Sequence, residues 1–268
     1  MHLASLASLV RGMGGVVDGV VRDVVDFCYP GRCAVCDADC EDGRAVLCPP
    51  CADGLNALES APACDRCAMP LAREGDPCPY CLGKGMRPYD RVARLGVFRD
   101  PLKSLVHRTK YNGRWPLAEF LADRLLEQPR VRALVEEADC LVPVPLHRLR
   151  QIARGYNQAD VLAESLARNR TRSGRRIPVL RPAVRLRHTE TQTHLHSRTQ
   201  REANLRDAFA LTRPQALRGK TVVVVDDVLT TGATLRAFAR ALRLGRPASL
   251  SAVVVAVADP KGADFQRI

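Results

Sequence analysis

The chain has 268 residues, enough for one full domain and a smaller second one, and its hydrophobic content of 46% provides for a core. Aromatic residues make up only 4%, so the core is predicted to consist mainly of Val, Leu and Ala. The net charge is +12, and the basic surplus lies beyond residue 90, which favours phosphorylated or nucleic-acid partners. No run of 18 or more apolar residues occurs, so no transmembrane helix is predicted.

The first segment, residues 1–27, is predicted to form an amphipathic helix that packs against the rest of the protein. Its apolar start has no basic residue before Arg11, and Asp18, Arg22 and Asp23 follow soon after. A secretory signal peptide is therefore not expected.

Ten of the eleven cysteines lie between residues 28 and 81. Eight of them form Cys-x-x-Cys pairs, namely Cys33 with Cys36, Cys48 with Cys51, Cys64 with Cys67, and Cys78 with Cys81. Each pair presents two thiolates to one tetrahedral Zn²⁺, and a second pair completes a Cys₄ site. Residues 28–88 are therefore predicted to form a double zinc ribbon with about two structural Zn²⁺. Pairing of neighbouring knuckles is the simplest arrangement, and a cross-braced one is the alternative.

Three cysteines fall outside these pairs. Cys28 and Cys40 are either alternative zinc ligands or, as we expect, packed or exposed thiols. Cys140 lies in an apolar segment and is expected to be a small core residue.

Beyond residue 88 the sequence alternates between strand-like and helix-like segments, which predicts a parallel sheet flanked by helices. The predicted strands are 92–98, 140–145 and 177–184, and the predicted helices are 102–107, 116–127 and one from about 154 to 167. In such sheets the ligand lies outside the carboxyl ends of the strands.

The segment Val222–Thr234 reads V-V-V-V-D-D-V-L-T-T-G-A-T. Its four valines predict a buried strand, and Asp226 and Asp227 are expected at the solvent-facing end of this strand, without a buried partner. The residues that follow lead into an apolar-periodic helix whose N-terminus suits a phosphate, and Gly232 allows the anion a close approach. The two carboxylates are placed to hold sugar hydroxyls or Mg²⁺ beside that phosphate.

The segment between Arg148 and Arg206 contains 14 arginines and four acidic residues. Such a segment favours contacts with phosphates, whereas solvated surface is the alternative for any single arginine. Residues 185–192 within it are predicted to form a mobile loop over the site.

Together these motifs resemble the ComF/GntX family, the competence-associated, phosphoribosyltransferase-like proteins of bacteria. The resemblance covers about residues 25–258 and rests on the Cys-x-x-Cys pairs and on the segments 110–113, 142–147, 154–158, 187–192, 201–204 and 222–234. It implies a cytoplasmic protein with a type I phosphoribosyltransferase-like domain over residues 89–268, preceded by the small zinc-ribbon domain. The segment 222–234 resembles the motif that binds 5-phosphoribosyl-1-pyrophosphate (PRPP) in that fold.

The resemblance also implies roles for individual residues. Asp226 and Asp227, the catalytic pair, would hold the ribose hydroxyls, partly through Mg²⁺. The 5-phosphate would be cradled by Thr230, Thr231, Gly232, Ala233 and Thr234. The candidates for binding pyrophosphate or substrate are His147, Arg148, Arg154, Asn157, Gln158, Arg187 and Gln192.

Two functions fit this sequence. The first is a PRPP-dependent glycosyltransferase that passes the phosphoribosyl group to an unidentified acceptor. The second is a non-catalytic module that binds single-stranded nucleic acid on a phosphoribosyltransferase fold, against which the scarcity of aromatic stacking platforms counts. The resemblance implies a role in handling incoming single-stranded DNA during natural transformation, with competence DNA-processing proteins such as a ComF-operon helicase as partners.

Overall fold

The computed structural model describes residues 31–40, 45–110, 115–168, 174–186 and 208–259. The predicted helix at 1–27 and Cys28 lie outside these residues, as do Arg187, Gln192 and the rest of the predicted loop beyond residue 186. The chain divides into two compact units, Met1–Gly54 and Leu55–Ile268.

The helices and strands are, in chain order, α1 (Pro49–Glu59), β1 (Val92–Val97), α2 (Leu102–Arg108), α3 (Trp115–Glu127), α4 (Pro129–Glu137), β2 (Cys140–Pro143), α5 (Arg148–Arg154), α6 (Gln158–Arg168), β3 (Ala183–Arg185), β4 (Phe209–Leu211), β5 (Thr221–Leu229), α7 (Ala233–Arg243) and β6 (Ser249–Val257). The predicted strand at 92–98 and the predicted helices at 102–107 and 116–127 are confirmed by β1, α2 and α3.

The first unit contains two Cys-x-x-Cys pairs, and we call Cys33, Cys36, Cys48 and Cys51 the first tetrad. Residues 31–40 fold back on themselves through an antiparallel bridge between Arg32 and Asp39. The amide of Cys33 donates to the carbonyl of Ala38 at 2.8 Å, which closes the turn that carries the first pair of thiols.

The centre of the second unit is a four-stranded parallel sheet in the order β1-β6-β5-β2. Residues 222–225 of β5 are fully buried, because β6 and β2 flank the strand and helices cover it, with Phe238 of α7 in the same core as Val222 and Val224. The buried strand predicted from the four valines is thereby confirmed. Helix α6 packs against β2 and β5 and also against α3. The parallel sheet thus places the carboxyl end of β5 next to the helices that follow β1 and β2.

The predicted strand at 177–184 is wrong in its extent and in its partner. Val179 forms only an isolated bridge with Leu141 of β2, and β3 pairs antiparallel with β4 in a separate two-stranded sheet. Pro178 and Pro182 explain the difference, because a proline has no N–H to donate to a strand ladder.

The predicted helix from 154 to 167 is in fact two elements. Helix α5 ends at Arg154, and Gly155 follows it in the left-handed conformation with φ 78°. Asn157 then accepts a hydrogen bond from the amide of Ala159 at 3.2 Å and so caps the start of α6. A glycine after a helix and an asparagine before the next one are the usual signals for this break.

The second unit also contains the other cysteine pairs, and we call Cys64, Cys67, Cys78 and Cys81 the second tetrad. Three of its cysteines belong to the same hydrophobic core as the valines of β5 and Phe238 of α7. The hydroxyl of Tyr89 donates to the carbonyl of Leu235 in α7 at 2.9 Å, and that of Tyr80 donates to Asp259 at 2.8 Å. The second tetrad is therefore built into the unit that contains the sheet.

Cys140 is fully buried in β2, as expected for a core residue, and burial raises the pKa of its thiol to about 11. In the part of the chain that the structure describes, no helix is long and apolar enough to cross a membrane.

Candidate functional site

The carboxyl end of β5 carries Asp226 and Asp227, both partly exposed. The sequence predicted the two carboxylates at the end of the strand. The strand instead continues through the pair to Leu229, so the carboxylates lie within its last residues. One oxygen of Asp226 accepts from the amide of Asp227 at 2.9 Å, and one oxygen of Asp227 accepts from the amide of Val228 at 2.7 Å. These local bonds fix the orientation of both carboxylates at the carboxyl-terminal edge of the sheet.

Lys110 lies opposite this pair. Its ammonium is 3.2 Å from the second oxygen of Asp227, and both side chains are 22% exposed. The expectation that the acidic pair has no buried partner is therefore wrong for Asp227. Lys110 follows α2 in the chain and was interpreted from the sequence only as part of a turn, since nothing local indicates which distant carboxylate such a lysine will meet.

The two carboxyl groups differ in their affinity for protons. Burial, together with the neighbouring charge of Asp227, raises the pKa of Asp226 to about 8. Burial also disfavours the charged form of Asp227, but the ammonium of Lys110 outweighs it and lowers the pKa of Asp227. At neutral pH the free protein therefore holds one ionised and one largely protonated carboxyl group at this edge.

Thr230, Thr231 and Gly232 form the turn between β5 and α7, and Ala233 and Thr234 are the first residues of α7. Gly232 has φ 73° and occupies the N-cap position of α7, and the hydroxyl of Thr231 accepts from the amide of Ala233 at 3.3 Å. The first N–H groups of a helix have no acceptor within the helix, so this turn presents donors and the positive end of the helix dipole. The arrangement suits an anion next to the two carboxyl groups.

Gly232 is also crowded from the side of the second tetrad. A Cβ at this position would lie 3.1 Å from the sulfur of Met86 and 3.0 Å from a guanidinium nitrogen of Arg236. The same guanidinium donates to the carbonyl of Thr231. The positive φ therefore favours glycine here, and a side chain would also have to displace the ends of Met86 and Arg236.

The remaining candidates for substrate binding lie on α5 and α6. His147 caps α5 by accepting from the amide of Leu149 at 3.3 Å, and Arg148 is exposed. Arg154 donates to Gln158 at 3.3 Å, and its charge helps to lower the pKa of Asp227. The structure thus brings Arg154 near the acidic pair.

Asn157 and Gln158 are buried and hydrogen-bonded inside the fold. Asn157 donates to the carbonyl of Val144 at 3.0 Å, and Gln158 donates to the carbonyl of Thr109 at 3.3 Å. Since Thr109 precedes Lys110, Gln158 fixes the backbone that carries the partner of Asp227. Both residues position the site in this structure.

Arg185 is a further residue that the sequence did not indicate. Its guanidinium lies over the ring of Phe209, 5.5 Å from the centroid, and its charge acts to lower the pKa of Asp226. The sequence predicts a loop at Arg185, because residues 185–192 lack clear periodicity, but the structure places Arg185 at the end of β3.

Each tetrad brings four cysteine sulfurs within 4.8 Å of one another. The sulfur–sulfur distance is 3.6 Å between Cys36 and Cys48, and 3.8 Å between Cys64 and Cys81. A tetrahedral Zn²⁺ with bonds of about 2.3 Å requires sulfurs about 3.8 Å apart, so both tetrads fit zinc. The predicted pairing of neighbouring knuckles is confirmed, and Cys40 is a buried thiol outside the first tetrad.

Comparison with known proteins gives matches to both the cysteine-rich part of the chain and the part that contains the sheet. A family model described as "Double zinc ribbon domain" matches residues 24–82, and one described as "Phosphoribosyl transferase domain" matches residues 154–267. "DNA utilization protein YhgH" of Salmonella typhimurium is 34% identical over 216 residues, which is 80% of this chain and 91% of that protein. "Competence protein F" of Haemophilus influenzae is 33% identical over 218 residues, 79% of this chain and 90% of that protein. The chain belongs to the ComF/GntX family.

"Competence protein ComFC" of Bacillus subtilis is 31% identical over 157 residues, which is 58% of this chain and 59% of that protein. This ComF-family chain therefore combines a phosphoribosyltransferase-like parallel sheet with a double zinc ribbon that holds about two structural zinc ions. Lys110 and Arg185 join the residues that the sequence indicated for the site.

Proposed function

We propose that this ComF-family protein binds Mg²⁺·PRPP at the carboxyl end of β5. The observation that carries the proposal is the continuity of one segment, in which two carboxylates lead directly into a left-handed turn at Gly232 and the N-terminus of α7. Thr230–Thr234 would hold the 5-phosphate, and Asp226 and Asp227 the ribose hydroxyls.

The donor set also fits a magnesium ion that arrives with the substrate. Mg²⁺ prefers oxygen ligands and is commonly held by one or two carboxylates together with substrate phosphates. Asp226 uses one oxygen for the amide of Asp227, which leaves its other oxygen for the ion or a hydroxyl. When bound, the ion neutralises part of the charge on the pyrophosphate.

Phosphoribosyl transfer is the reaction that we assign to this site. The bond between C1 of the ribose and the pyrophosphate oxygen breaks, and the electron pair leaves with pyrophosphate. A nucleophilic atom of the acceptor then bonds to C1 and gives up its proton. The residues contribute positioning and charge, with Lys110 and Arg154 as the cations that act on Asp227 and with Arg148 as a further candidate for the leaving group.

The test replaces each carboxylate by an amide of the same size. Asp226→Asn and Asp227→Asn should each raise the Kd of Mg²⁺·PRPP about tenfold or more, which corresponds to about 1.4 kcal/mol, as measured by calorimetry. Asp139→Asn is the matched control, because Asp139 accepts from the amide of Thr221 at the opposite end of β5. Equal affinities in all four proteins would refute the assignment of the acidic pair.

The same variants should differ in stability. Asp226→Asn removes a carboxyl group whose ionisation burial disfavours, and it should leave the melting temperature level or slightly higher. Asp227→Asn leaves the half-buried ammonium of Lys110 without its partner and should lower the melting temperature. The double variant Lys110→Met/Asp227→Asn should recover part of this loss.

Binding of single-stranded DNA is a second proposed function, suggested by the names of the relatives that concern competence and DNA utilization. Helix α5 has no buried residue, and its Leu149 and Ile152 are 60% and 79% exposed between arginines. Basic side chains on an exposed helix suit the phosphates of a single strand. A role in handling DNA during transformation, with DNA-processing proteins as partners, follows from this proposal.

Its test is the salt dependence of binding to a single-stranded oligonucleotide. Replacing Arg148, Arg154 and Arg187 with Ala should reduce the slope of log K against log salt by about 0.7 for each phosphate that these arginines neutralise. Arg91→Ala is the control, because Arg91 pairs with Glu137 on another surface. A slope that is unchanged in the triple variant would exclude this surface.

A further inference from the structure

The ion pair between Lys110 and Asp227 engages an oxygen that the proposed substrate complex needs. One carboxylate oxygen of Asp227, Oδ1, accepts from the amide of Val228 at 2.7 Å, and the other, Oδ2, lies 3.2 Å from the ammonium of Lys110. Both oxygens of Asp227 are therefore engaged in the free protein. In Asp226 only Oδ1 has a hydrogen-bond partner among the described residues, the amide of Asp227.

The charges around the acidic pair disfavour a divalent cation that arrives without substrate. Lys110 acts electrostatically on both carboxyl groups, Arg154 acts on Asp227, and Arg185 acts on Asp226. Three cations thus face two carboxyl groups. A Mg²⁺ ion about 2.1 Å from Oδ2 of Asp227 would share that oxygen with the ammonium, and the two cations would repel each other. The negative charge of a pyrophosphate group can accept both cations at once.

The backbone at Lys110 is fixed, whereas its ammonium lies at the end of a flexible side chain. The amide of Lys110 donates to a carbonyl of α2 at 3.0 Å, and the preceding residue, Thr109, is buried. The carbonyl of Thr109 accepts from the hydroxyl of Tyr156 and from the side-chain amide of Gln158. The side chain of Lys110 is partly exposed and has a four-carbon stem, so its ammonium can leave Asp227 without a movement of the backbone.

We propose that the ammonium of Lys110 excludes a divalent cation from Asp227 in the free protein and moves to a pyrophosphate oxygen when Mg²⁺·PRPP binds. No proton is transferred in this exchange. The ion pair with Oδ2 of Asp227 breaks, and one with the phosphate forms. The site therefore accepts the divalent ion together with its substrate and not before it. The proposal rests on the proposed binding of PRPP and adds the residue that couples the metal to the substrate.

The first experiment titrates Mn²⁺ alone into the full-length, zinc-loaded protein and follows the ion by electron paramagnetic resonance. Mn²⁺ prefers the same oxygen ligands as Mg²⁺. Lys110→Met removes the charge and keeps most of the stem, and it should bind Mn²⁺ about tenfold more tightly than the wild-type protein. In Lys110→Met/Asp227→Asn this gain should disappear, because the ion has lost its carboxylate.

The same substitution should have the opposite effect on the substrate complex. In calorimetry, Lys110→Met should raise the Kd of Mg²⁺·PRPP about tenfold, because the pyrophosphate loses one of its cations. Lys110→Arg keeps the charge and should stay closer to the wild-type protein than Lys110→Met does in both titrations. A merely structural role of Lys110 would lower both affinities, so the opposite signs of the two changes are specific to the proposal.

Lys103→Met is the matched control. It removes the same charge from α2, where the ammonium of Lys103 lies over the ring of Phe98, 6.0 Å from the centroid. Both affinities should stay unchanged in this variant. Lys110→Gln removes the charge of Lys110 but keeps a polar end, so it repeats the test if Lys110→Met does not fold. Melting curves and zinc analysis of each variant verify the fold.

Failure of this proposal is distinguishable from failure of the proposed function. The wild-type protein may bind Mg²⁺·PRPP while Lys110→Met and Lys110→Gln bind Mn²⁺ no more tightly than it does, and that result would overturn the proposal alone. An unchanged Kd of Mg²⁺·PRPP in these variants would do the same. A wild-type protein that does not bind Mg²⁺·PRPP at all would refute the proposed function and this exchange together.

Discussion

The two cysteine tetrads have nearly the same spacing in the sequence but different surroundings in the structure. The first tetrad lies in the unit of residues 1–54, where the described backbone bonds around it join residues of the same short segment. The second tetrad lies in the unit of the sheet and shares a hydrophobic core with β5 and α7. In the segment that follows this tetrad, Met86 lies close to Gly232, and the hydroxyl of Tyr89 donates to the carbonyl of Leu235.

This difference shows that a repeated metal motif need not have a repeated role. A zinc ion in the first tetrad stabilises a small unit by itself, since closed Cys₄ sites contribute folding energy. A zinc ion in the second tetrad also stabilises the residues that pack against the turn at Gly232. The second ribbon is therefore part of the support of the candidate site.

The largest expected effect comes from removing one zinc ligand from each tetrad. Cys67→Ser should release the second zinc, destabilise the sheet unit by several kcal/mol and abolish binding of Mg²⁺·PRPP. Cys36→Ser should release the first zinc and change the free energy of unfolding of the sheet unit by less than about 1 kcal/mol. Zinc analysis, circular dichroism melting and PRPP calorimetry on the full chain give the three measurements.

Cys140→Ser and Cys40→Ser are the matched controls, because both remove a buried thiol outside the tetrads. Both should retain about two zinc ions. If Cys36→Ser and Cys67→Ser lowered the stability of the sheet unit equally, the distinction between the tetrads would be refuted.

Gly232→Val tests the contact between Met86 and the turn at Gly232. We expect a loss of about 3 kcal/mol, because a β-branched residue is strained at φ 73° and its Cβ meets the sulfur of Met86 at 3.1 Å. Combining it with Met86→Ala should relieve part of the crowding. The stability lost in the double variant should therefore be smaller than the sum of the losses in the two single variants. Strict additivity in denaturant unfolding would show that Met86 does not press on this turn.

The pH dependence of stability should report Asp226. The pKa of Asp226 is raised to about 8 in the folded protein, against about 3.9 in the unfolded chain. Its contribution to the free energy of unfolding is therefore complete below about pH 4 and is lost as the pH rises towards 8. After allowance for its partial exposure we expect a decline of about 2 kcal/mol from pH 5 to 8 in metal-free buffer. Asp227 has a lowered pKa, so the stability that it contributes is lost only when the pH falls into the more acidic range.

Asp226→Asn should flatten this decline, whereas Cys36→Ser should retain it, since the first tetrad lies in the other unit. Denaturant unfolding at each pH provides the measurement. A decline of the same size in Asp226→Asn would assign the effect to other groups.

The smallest expected effect concerns Tyr89. Tyr89→Phe removes the hydrogen bond to Leu235 and should cost about 1 kcal/mol, with a modest loss of PRPP affinity because α7 begins at the phosphate turn. Tyr80→Phe removes a hydrogen bond to Asp259 and should affect stability similarly without changing PRPP affinity. Equal affinity in both variants would show that the hydrogen bond of Tyr89 does not position α7.

Several features were decided by local sequence patterns. Four consecutive valines predicted the buried strand β5, because a strand covered on both faces has an apolar side chain at every position. The Cys-x-x-Cys spacing predicted both tetrads, since a short knuckle holds two thiolates close to one ion. The structure places Gly232 in the left-handed conformation directly before α7, and the role of Thr230–Thr234 in holding a phosphate stays a prediction.

Only the tertiary structure decided which distant groups meet. Lys110 and Asp227 are more than a hundred residues apart, and no pattern around either one specifies a 3.2 Å ion pair. The apolar strand β6, missed from the sequence, occupies the middle of the sheet because it pairs with both β1 and β5. The two ribbons have similar motifs, yet the second joins the core of the sheet, because burial depends on the surfaces that the rest of the fold presents.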